Sequence, residues 1–253
     1  MPIGCIIQAR LGSTRLPGKV MMKVDEKNPV LYYVIKQLQE CRNLKKIIVA
    51  TTQLQEDLKI VKFVEKLGLI PFQGNPTDVL DRYYQCAKIF SIDPIVRITA
   101  DCPLIDPTIV DHLIEKHYSE KCDYACMHLP RTFPRGTDAE VFSFKCLELA
   151  WKNAKKSSER EHVTPFFYNN PEKFKIFNYQ HSENLSKLKW SVDRETDLNF
   201  VKEIISRIEK RPILTKDILQ VLKKEPRLLK INSNSLPEEG YKKSLQEDRK
   251  LGY

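Results

Sequence analysis

The stretch KKIIVATTQLQEDLKIVKFVEKLGLIPFQG, residues 45–74, contains one complete unit of fold. KKIIVATT is a β-branched run that reads as a strand. Leu58, Val61, Val64 and Leu67 then recur at helical spacing, and Gly68 stands where a helix stops. LIPFQG resumes as a strand. A strand, a helix and a strand in that order imply parallel pairing through a right-handed crossover.

The same alternation extends in both directions. Upstream, IGCII reads as a strand, and PVLYYVIKQLQEC sets Leu31, Val34, Ile35 and Leu38 on one helical face. Downstream, DVLDRYYQCAKIF is a helix begun by Asp78 and Asp81, where negative charge is favourable. PIVRITAD is a fourth strand, and Asp106 with Pro107 opens the helix PTIVDHLIEKHY. These elements predict an α/β chain: a three-layer, Rossmann-like, mostly parallel sheet covered on both faces. The middle is less regular. AEVFSF reads as a strand, and EREHVTPFFY as a helix opened by Ser158 with Glu161 as its capping-box partner. KWSVD reads as a late strand, feeding a helix through Leu198, Val201, Ile204, Ile205 and Ile208. With no internal repeat and no linker, the expected organisation is one domain over residues 1–225 and a polar, basic, loosely held tail over 226–253.

Bulk composition narrows the class. A chain of 253 residues, 42% hydrophobic and 30% charged, is ordinary for a globular protein. No apolar run approaches the roughly 18 residues of a membrane span, and the first residues lack a basic leader, so a cytoplasmic location is expected. Seven cysteines without a C-x-x-C pair read as reduced, buried thiols. The net charge is +9, but residues 201–253 alone hold 13 Lys or Arg against 8 Asp or Glu, a difference of +5. These charges mix with acids and form no arginine block, so a solvated helical surface is expected and a nucleic-acid partner is not.

Chemistry concentrates after the first strand. In an open parallel sheet, ligands bind beyond the carboxyl ends of the strands. There the chain places Arg10, Arg15 and Lys19 among Gly12, Pro17 and Gly18, with no acid before Asp25. Glycines let the backbone approach a ligand and present its N–H groups to an anion. Each cation about 4 Å from a phosphate oxygen gains roughly 4 kcal/mol before desolvation. A polyphosphate fits this loop; so does a purely solvated surface turn. A Walker A loop does not, because five residues separate Gly12 from Gly18 and Val20 follows Lys19. G-x-G-x-x-G is absent as well.

Asp101 follows the fourth strand at the same sheet edge, and Asp193 ends KWSVD. One or two carboxylates with phosphate oxygens and water are the usual shell of Mg²⁺. Each aspartate also has a plain role open to it: Asp101 as a turn residue before Pro103, Asp193 as a helix cap. Arg97, in the strand that leads to Asp101, is a further candidate for phosphate or base. Asp138 and Glu140 lie two apart and face one side of a strand, where carboxylates suit a polyhydroxylated sugar. Arg160 and His162 are placed to meet an acid group on an acceptor, or simply to begin a helix. No histidine near the sheet edge offers itself as a base.

QARLGSTRLPGK, DVLDRYY, VRITADCPLID, GTDAEVF, REHVTPF and WSVDRETDL together resemble the SpsF-type cytidylyltransferases, over roughly residues 3 to 200. That family is similar in turn to the synthetases of CMP-activated 3-deoxy-manno-octulosonate and CMP-sialic acids. The resemblance implies a GT-A-like nucleotidyltransferase fold with a smaller, partly antiparallel subregion for acceptor binding and dimerisation. It implies Mg²⁺-dependent transfer of CMP from CTP to a sugar acid of nonulosonic or 2-keto-3-deoxy type, with release of pyrophosphate, in polysaccharide or glycan biosynthesis. A homodimer is implied too.

Carried over by position, Arg10, Lys19 and Asp101 are the catalytic residues, the first two holding triphosphate. Asp101 and Asp193 are the metal ligands. From their own placement, Gln8, Ala9, Gly12, Ser13, Arg15, Arg97 and Thr99 are expected to complete the nucleotide site, and Asp138, Glu140, Arg160 and His162 to form the acceptor site. One departure is visible: DEKNPVL replaces a usual glycine turn, and Asn28 is expected to take the left-handed conformation.

Three rival readings remain. A sugar transferase of similar fold normally carries Asp-x-Asp, and Asp101-Cys102-Pro103 lacks the second acid. A nucleotide sensor keeps the cations but tolerates loss of the acids. A nucleic-acid-binding module predicts steeply salt-dependent binding to any polyanionic strand. A phosphate- or phosphonate-bearing acceptor also stays open.

Overall fold

The computed structural model describes residues 1–233 and 239–253. Its first half runs β1 (Gly4–Gln8), α1 (Val30–Gln39), β2 (Lys46–Thr52), α2 (Leu58–Lys66), β3 (Ile70–Gly74), α3 (Val79–Ile89), β4 (Ile95–Thr99) and α4 (Pro107–Ser119). The second half runs β5 (Tyr124–Cys126), β6 (Glu140–Phe142), α5 (Phe144–Asn153), α6 (Ser157–His162), α7 (Pro165–Tyr168), β7 (Ile176–Asn178), α8 (Glu195–Arg207), α9 (Thr215–Lys224) and α10 (Glu239–Lys250).

The strands form one sheet in the order β3-β2-β1-β4-β6-β5-β7. β1 lies parallel between β2 and β4, with Ile6 opposite both Ile48 and Arg97. The expected three-layer architecture follows from which side chains β1 buries. Cys5 and Ile7 pack with Leu31, Val34 and Ile35 of α1 and with Val110 and Leu113 of α4. Ile6 packs on the other face with Tyr83 and Ala87 of α3 and Leu147 of α5. Each large apolar side chain so buried contributes about 1.5–3 kcal/mol. β6 pairs antiparallel with both β4 and β5, which makes the second half the partly antiparallel subregion. All seven cysteines are buried and unpaired, as their spacing predicts.

Four local expectations change. KWSVD forms no strand; it makes a single parallel bridge, Arg135 with Lys189. The helix expected to open at Ser158 begins at Ser157, and its Glu159 carboxylate accepts from the Lys156 amide at 3.5 Å. Asn28 is not left-handed. The Asp25 carboxylate takes the place of a glycine turn, accepting from the amides of Lys27 and Asn28 at 2.7 and 2.6 Å and from the Tyr33 hydroxyl. The tail, in its described part, is not loose. Residues 226–230 form a 3₁₀ turn, and α10 docks on α6, burying Ser244 and Asp248. Residues 234–238 of that tail lie outside the described residues.

Candidate active site

β1 and β4 are neighbours, but the chain visits β2 and β3 between them. Their carboxyl ends therefore flank the crevice where a doubly wound sheet binds ligands. The loop after β1 and the turn after β4 meet there. Gly18, at φ 73, turns the chain into the short 3₁₀ segment Lys19–Met21, a backbone conformation that suits glycine. This aims Lys19 inward. Its ammonium lies 2.5 Å from Asp101 Oδ2 and 3.0 Å from Asp193 Oδ1. Two aspartates 92 positions apart in the sequence thus share one cation.

Each is held firmly. Asp101 Oδ1 accepts from the Thr99 hydroxyl at 2.7 Å, and the Asp101 carbonyl accepts from the Val192 amide at 2.9 Å. Asp193 accepts from Arg15 at 2.5 Å, and its other oxygen lies 3.2 Å from the Lys189 ammonium. Trp190 and Val192 anchor the Asp193 segment in a third apolar cluster with Val30, Leu198 and Val201. Burial pulls the Lys19 pKa down, but Asp101 and Asp193 outweigh it, so the ammonium stays charged. Burial likewise pushes Asp193 up, and Lys19, Lys189 and Arg15 hold it well below the usual carboxylate range. Asp193, Lys19 and Arg15 are therefore all charged at neutral pH.

A cleft of about 260 Å³ opens over these groups. It is lined by Arg15, Thr99, Asp101, Asp138, His162 and Asp193 of the expected residues. Arg131, Arg135, Lys189, Glu239 and Tyr241 line it too, and the sequence singled out none of them. A larger hollow of about 350 Å³, near Phe133, Tyr179 and Lys216, holds no expected site residue.

Of the remaining loop residues, Ala9 is buried and its amide donates to the Ala50 carbonyl at 3.0 Å. Arg10 reaches out to Glu161 at 3.5 Å. Gly12 is exposed, with space for a side chain at 3.5 Å from Glu56. Ser13 closes a turn, its amide donating to the Leu11 carbonyl at 2.7 Å. Gln8 Oε1 is buried without a hydrogen-bond donor, an acceptor left at the end of β1.

Arg97, Glu140 and Arg160 are engaged away from the cleft. Arg97 and Glu140 are register partners across β4 and β6 and form a buried ion pair with each other. Arg160 donates Nε to Asp78 at 2.9 Å and Nη1 to the Trp151 carbonyl at 2.8 Å, tying α6 to α3. Apart from Arg97 Nε, which has no partner, these groups pair inside the fold and away from the cleft, against the expectation that they meet nucleotide or acceptor. Asp138 lies in the cleft wall but pairs with Arg131 at 2.5 Å. His162 corrects the expectation that no histidine approaches the sheet edge. Val163, between α6 and α7, has a positive φ of 71, a conformation that is costly for a β-branched residue. Burial lowers the His162 pKa, so its ring is neutral at pH 7.

Gly136 governs the alignment of the two walls. At φ 93, any Cβ there would stand 2.2 Å from the Ser191 amide nitrogen. Beside it, the Trp190 amide donates to the Arg135 carbonyl at 2.6 Å. Gly136→Ala is expected to cost about 2–3 kcal/mol through strain and overlap. That corresponds to a melting temperature lower by about 4–12 °C for a chain of this size. A thermal melt checks it.

Comparison with known proteins gives a consistent result. The family described as Cytidylyltransferase matches residues 4–231. An uncharacterized protein of Methanocaldococcus jannaschii is 38% identical over 236 residues, 92% of this chain and 96% of that protein. The spore coat polysaccharide biosynthesis protein SpsF of Bacillus subtilis is 26% identical, over 87% of this chain and 94% of its own. A cytidylyltransferase structure from Leptospira borgpetersenii superposes with a TM-score of 0.88 at 33% identity, covering 93% of this chain and 98% of that one.

Proposed function

The chain belongs to the cytidylyltransferase family, and from that premise we propose that it transfers CMP from CTP to a carboxylate-bearing sugar, releasing pyrophosphate. The observation that carries the reading is the convergence of Asp101 and Asp193 on Lys19, beside Arg15. Two hard carboxylate donors next to a phosphate site fit Mg²⁺, which completes its shell from phosphate and water. Among the described residues no larger cluster of metal-binding side chains competes with them. When bound, Mg²⁺ supplies Lewis-acid polarisation of the phosphate.

The chain's own residues do the rest. Lys19 and Arg15 neutralise charge on the leaving pyrophosphate while an acceptor oxygen attacks the α-phosphorus in line. Arg10, at the outer rim, adds to the triphosphate field. Gln8 Oε1 offers an acceptor to the nucleoside, with Thr99 fixing Asp101. On the acceptor side, Arg131, Arg135 and Lys189 suit a carboxylate, Asp138 suits hydroxyls, and neutral His162 is available to accept a proton. A phosphate or phosphonate group would satisfy the same cations. A homodimer working in the cytoplasm belongs to the same proposal, in line with the absence of any membrane-crossing helix among the described residues.

The test is pyrophosphate release from each of the four nucleoside triphosphates with a panel of 2-keto-3-deoxy, nonulosonic and phosphorylated sugars. The expected result is release with CTP and Mg²⁺ and at least one sugar acid. Release only with another nucleotide, or with none, would overturn the reading.

A further inference from the structure

α10 lies beyond residue 231, where the match to the family ends, yet it reaches the triphosphate cations. Glu239 Oε2 is 3.5 Å from Arg15 Nη1, and its other oxygen accepts from Arg194 Nη2 at 2.6 Å. Two residues on, Tyr241 sets its ring edge-on to His162, with centroids 5.2 Å apart. Ser244 donates to Glu161 Oε2 at 2.6 Å, and Glu161 Oε1 is the oxygen beside Arg10. Arg10 and Arg15, the two exposed cations of the loop, are therefore both met by carboxylates that α10 supplies or holds. The far end of the helix is anchored differently: Asp248 is buried and accepts from the Ser158 amide at 3.1 Å.

We propose that α10 is a displaceable strap over the triphosphate site, with Glu239 standing in for a phosphate on Arg15 until the nucleotide replaces it. The inference rests on the CTP reading above. A bound triphosphate brings several negative charges to Arg10 and Arg15, and Glu239 and Glu161 cannot share those cations with it without like-charge repulsion. The pairs at the Glu239 end are solvent-exposed, with side-chain exposures of 25–47%, and exposed pairs are weak. The Asp248 end is buried, so the strap opens from its amino end and stays attached at the other. Its cost to the enzyme is a competing anion; its effect is to keep the cations paired until a polyphosphate arrives.

The test uses the full chain. Hydrogen exchange of the amides of residues 239–250 is followed with Mg²⁺ alone, with Mg²⁺ and CTP, and with Mg²⁺ and inorganic tripolyphosphate. CTP affinity is measured for the native chain and for Glu239→Gln. The strap predicts faster exchange over 239–244 with either polyphosphate, and CTP affinity about two- to five-fold tighter in Glu239→Gln, the gain from removing one weak competing pair. If CTP binds but exchange there is unchanged or slower, or if Glu239→Gln weakens CTP, the strap is wrong and the CTP reading stands. Acceleration by CTP but not by tripolyphosphate overturns the claim that phosphate charge displaces Glu239. If neither chain binds CTP, the strap and the CTP reading fall together.

Discussion

Asp101→Asn is expected to lower the rate of pyrophosphate release by about 10² to 10³, corresponding to roughly 3–4 kcal/mol of lost transition-state stabilisation. The substitution keeps the shape of the side chain. Asn retains an oxygen to accept from the Thr99 hydroxyl, and the Asp101 carbonyl still receives the Val192 amide. The buried Lys19 ammonium keeps Asp193 at 3.0 Å, so no cation is stranded. What disappears is one of two anionic oxygens able to hold a divalent ion against the triphosphate. The fold should melt within a few degrees of the native chain while turnover collapses. A variant that retains near-normal turnover would remove Asp101 from the reaction. Lys19→Ala should slow turnover similarly, but it leaves two carboxylates facing each other and is the less clean substitution.

Glu140→Ala is expected to lower the free energy of unfolding by about 3–5 kcal/mol, the penalty of stranding a buried charge. Glu140 is 3% exposed. Arg97, directly opposite it in the β4–β6 register, donates to one carboxylate oxygen, and the Tyr124 hydroxyl donates to the other. Arg97 Nε already has no partner, so deleting the carboxylate leaves the guanidinium without its counter-charge. Replacing both members by apolar residues of similar volume should recover much of the loss, because the pair itself gains little over good packing.

The pH dependence has a definite sign. Burial pushes the Glu140 pKa up, but Arg97, His128 and the Tyr124 and Thr164 hydroxyls outweigh it and hold the carboxyl below its ordinary value. The stabilisation is therefore present above the unfolded carboxyl pKa of about 4.3 and is lost as pH falls through the lower folded value. Urea unfolding of the native chain and of Glu140→Gln should show a gap at neutral pH that closes in acid. Unchanged stability with weakened acceptor binding would instead put Glu140 in the cleft.

The difference between Asp101 and Glu140 shows what the sequence carries. Asp101 and Lys19 are polar residues placed just past apolar strands, so their position at the sheet edge follows from local pattern and the parallel order alone. Asp193 is legible as an acid, though the segment before it forms no ladder: Trp190 and Val192 bury with side chains of α8 and α1 and anchor it. Glu140 looks identical to a cleft carboxylate in sequence. Only the antiparallel pairing that sets it against Arg97, a non-local fact, takes it out of the cleft. β5 and β7, at three residues each, are too short for alternation to register. In sequence α10 is polar and suggests a loose tail; it docks through Ser244, Asp248 and ion pairs, which hydrophobic periodicity does not report.

The central claim is that Lys19, Arg15, Asp101 and Asp193 form a single site for one nucleoside triphosphate and a divalent ion. Calorimetric titration of CTP into the full chain, with and without Mg²⁺ and with Asp101→Asn, tests it most directly. The expected result is saturable heat at one site per chain that depends on Mg²⁺ and is strongly weakened in Asp101→Asn. Absence of heat, or the same binding with or without the metal and the Asp101 carboxylate, would contradict it.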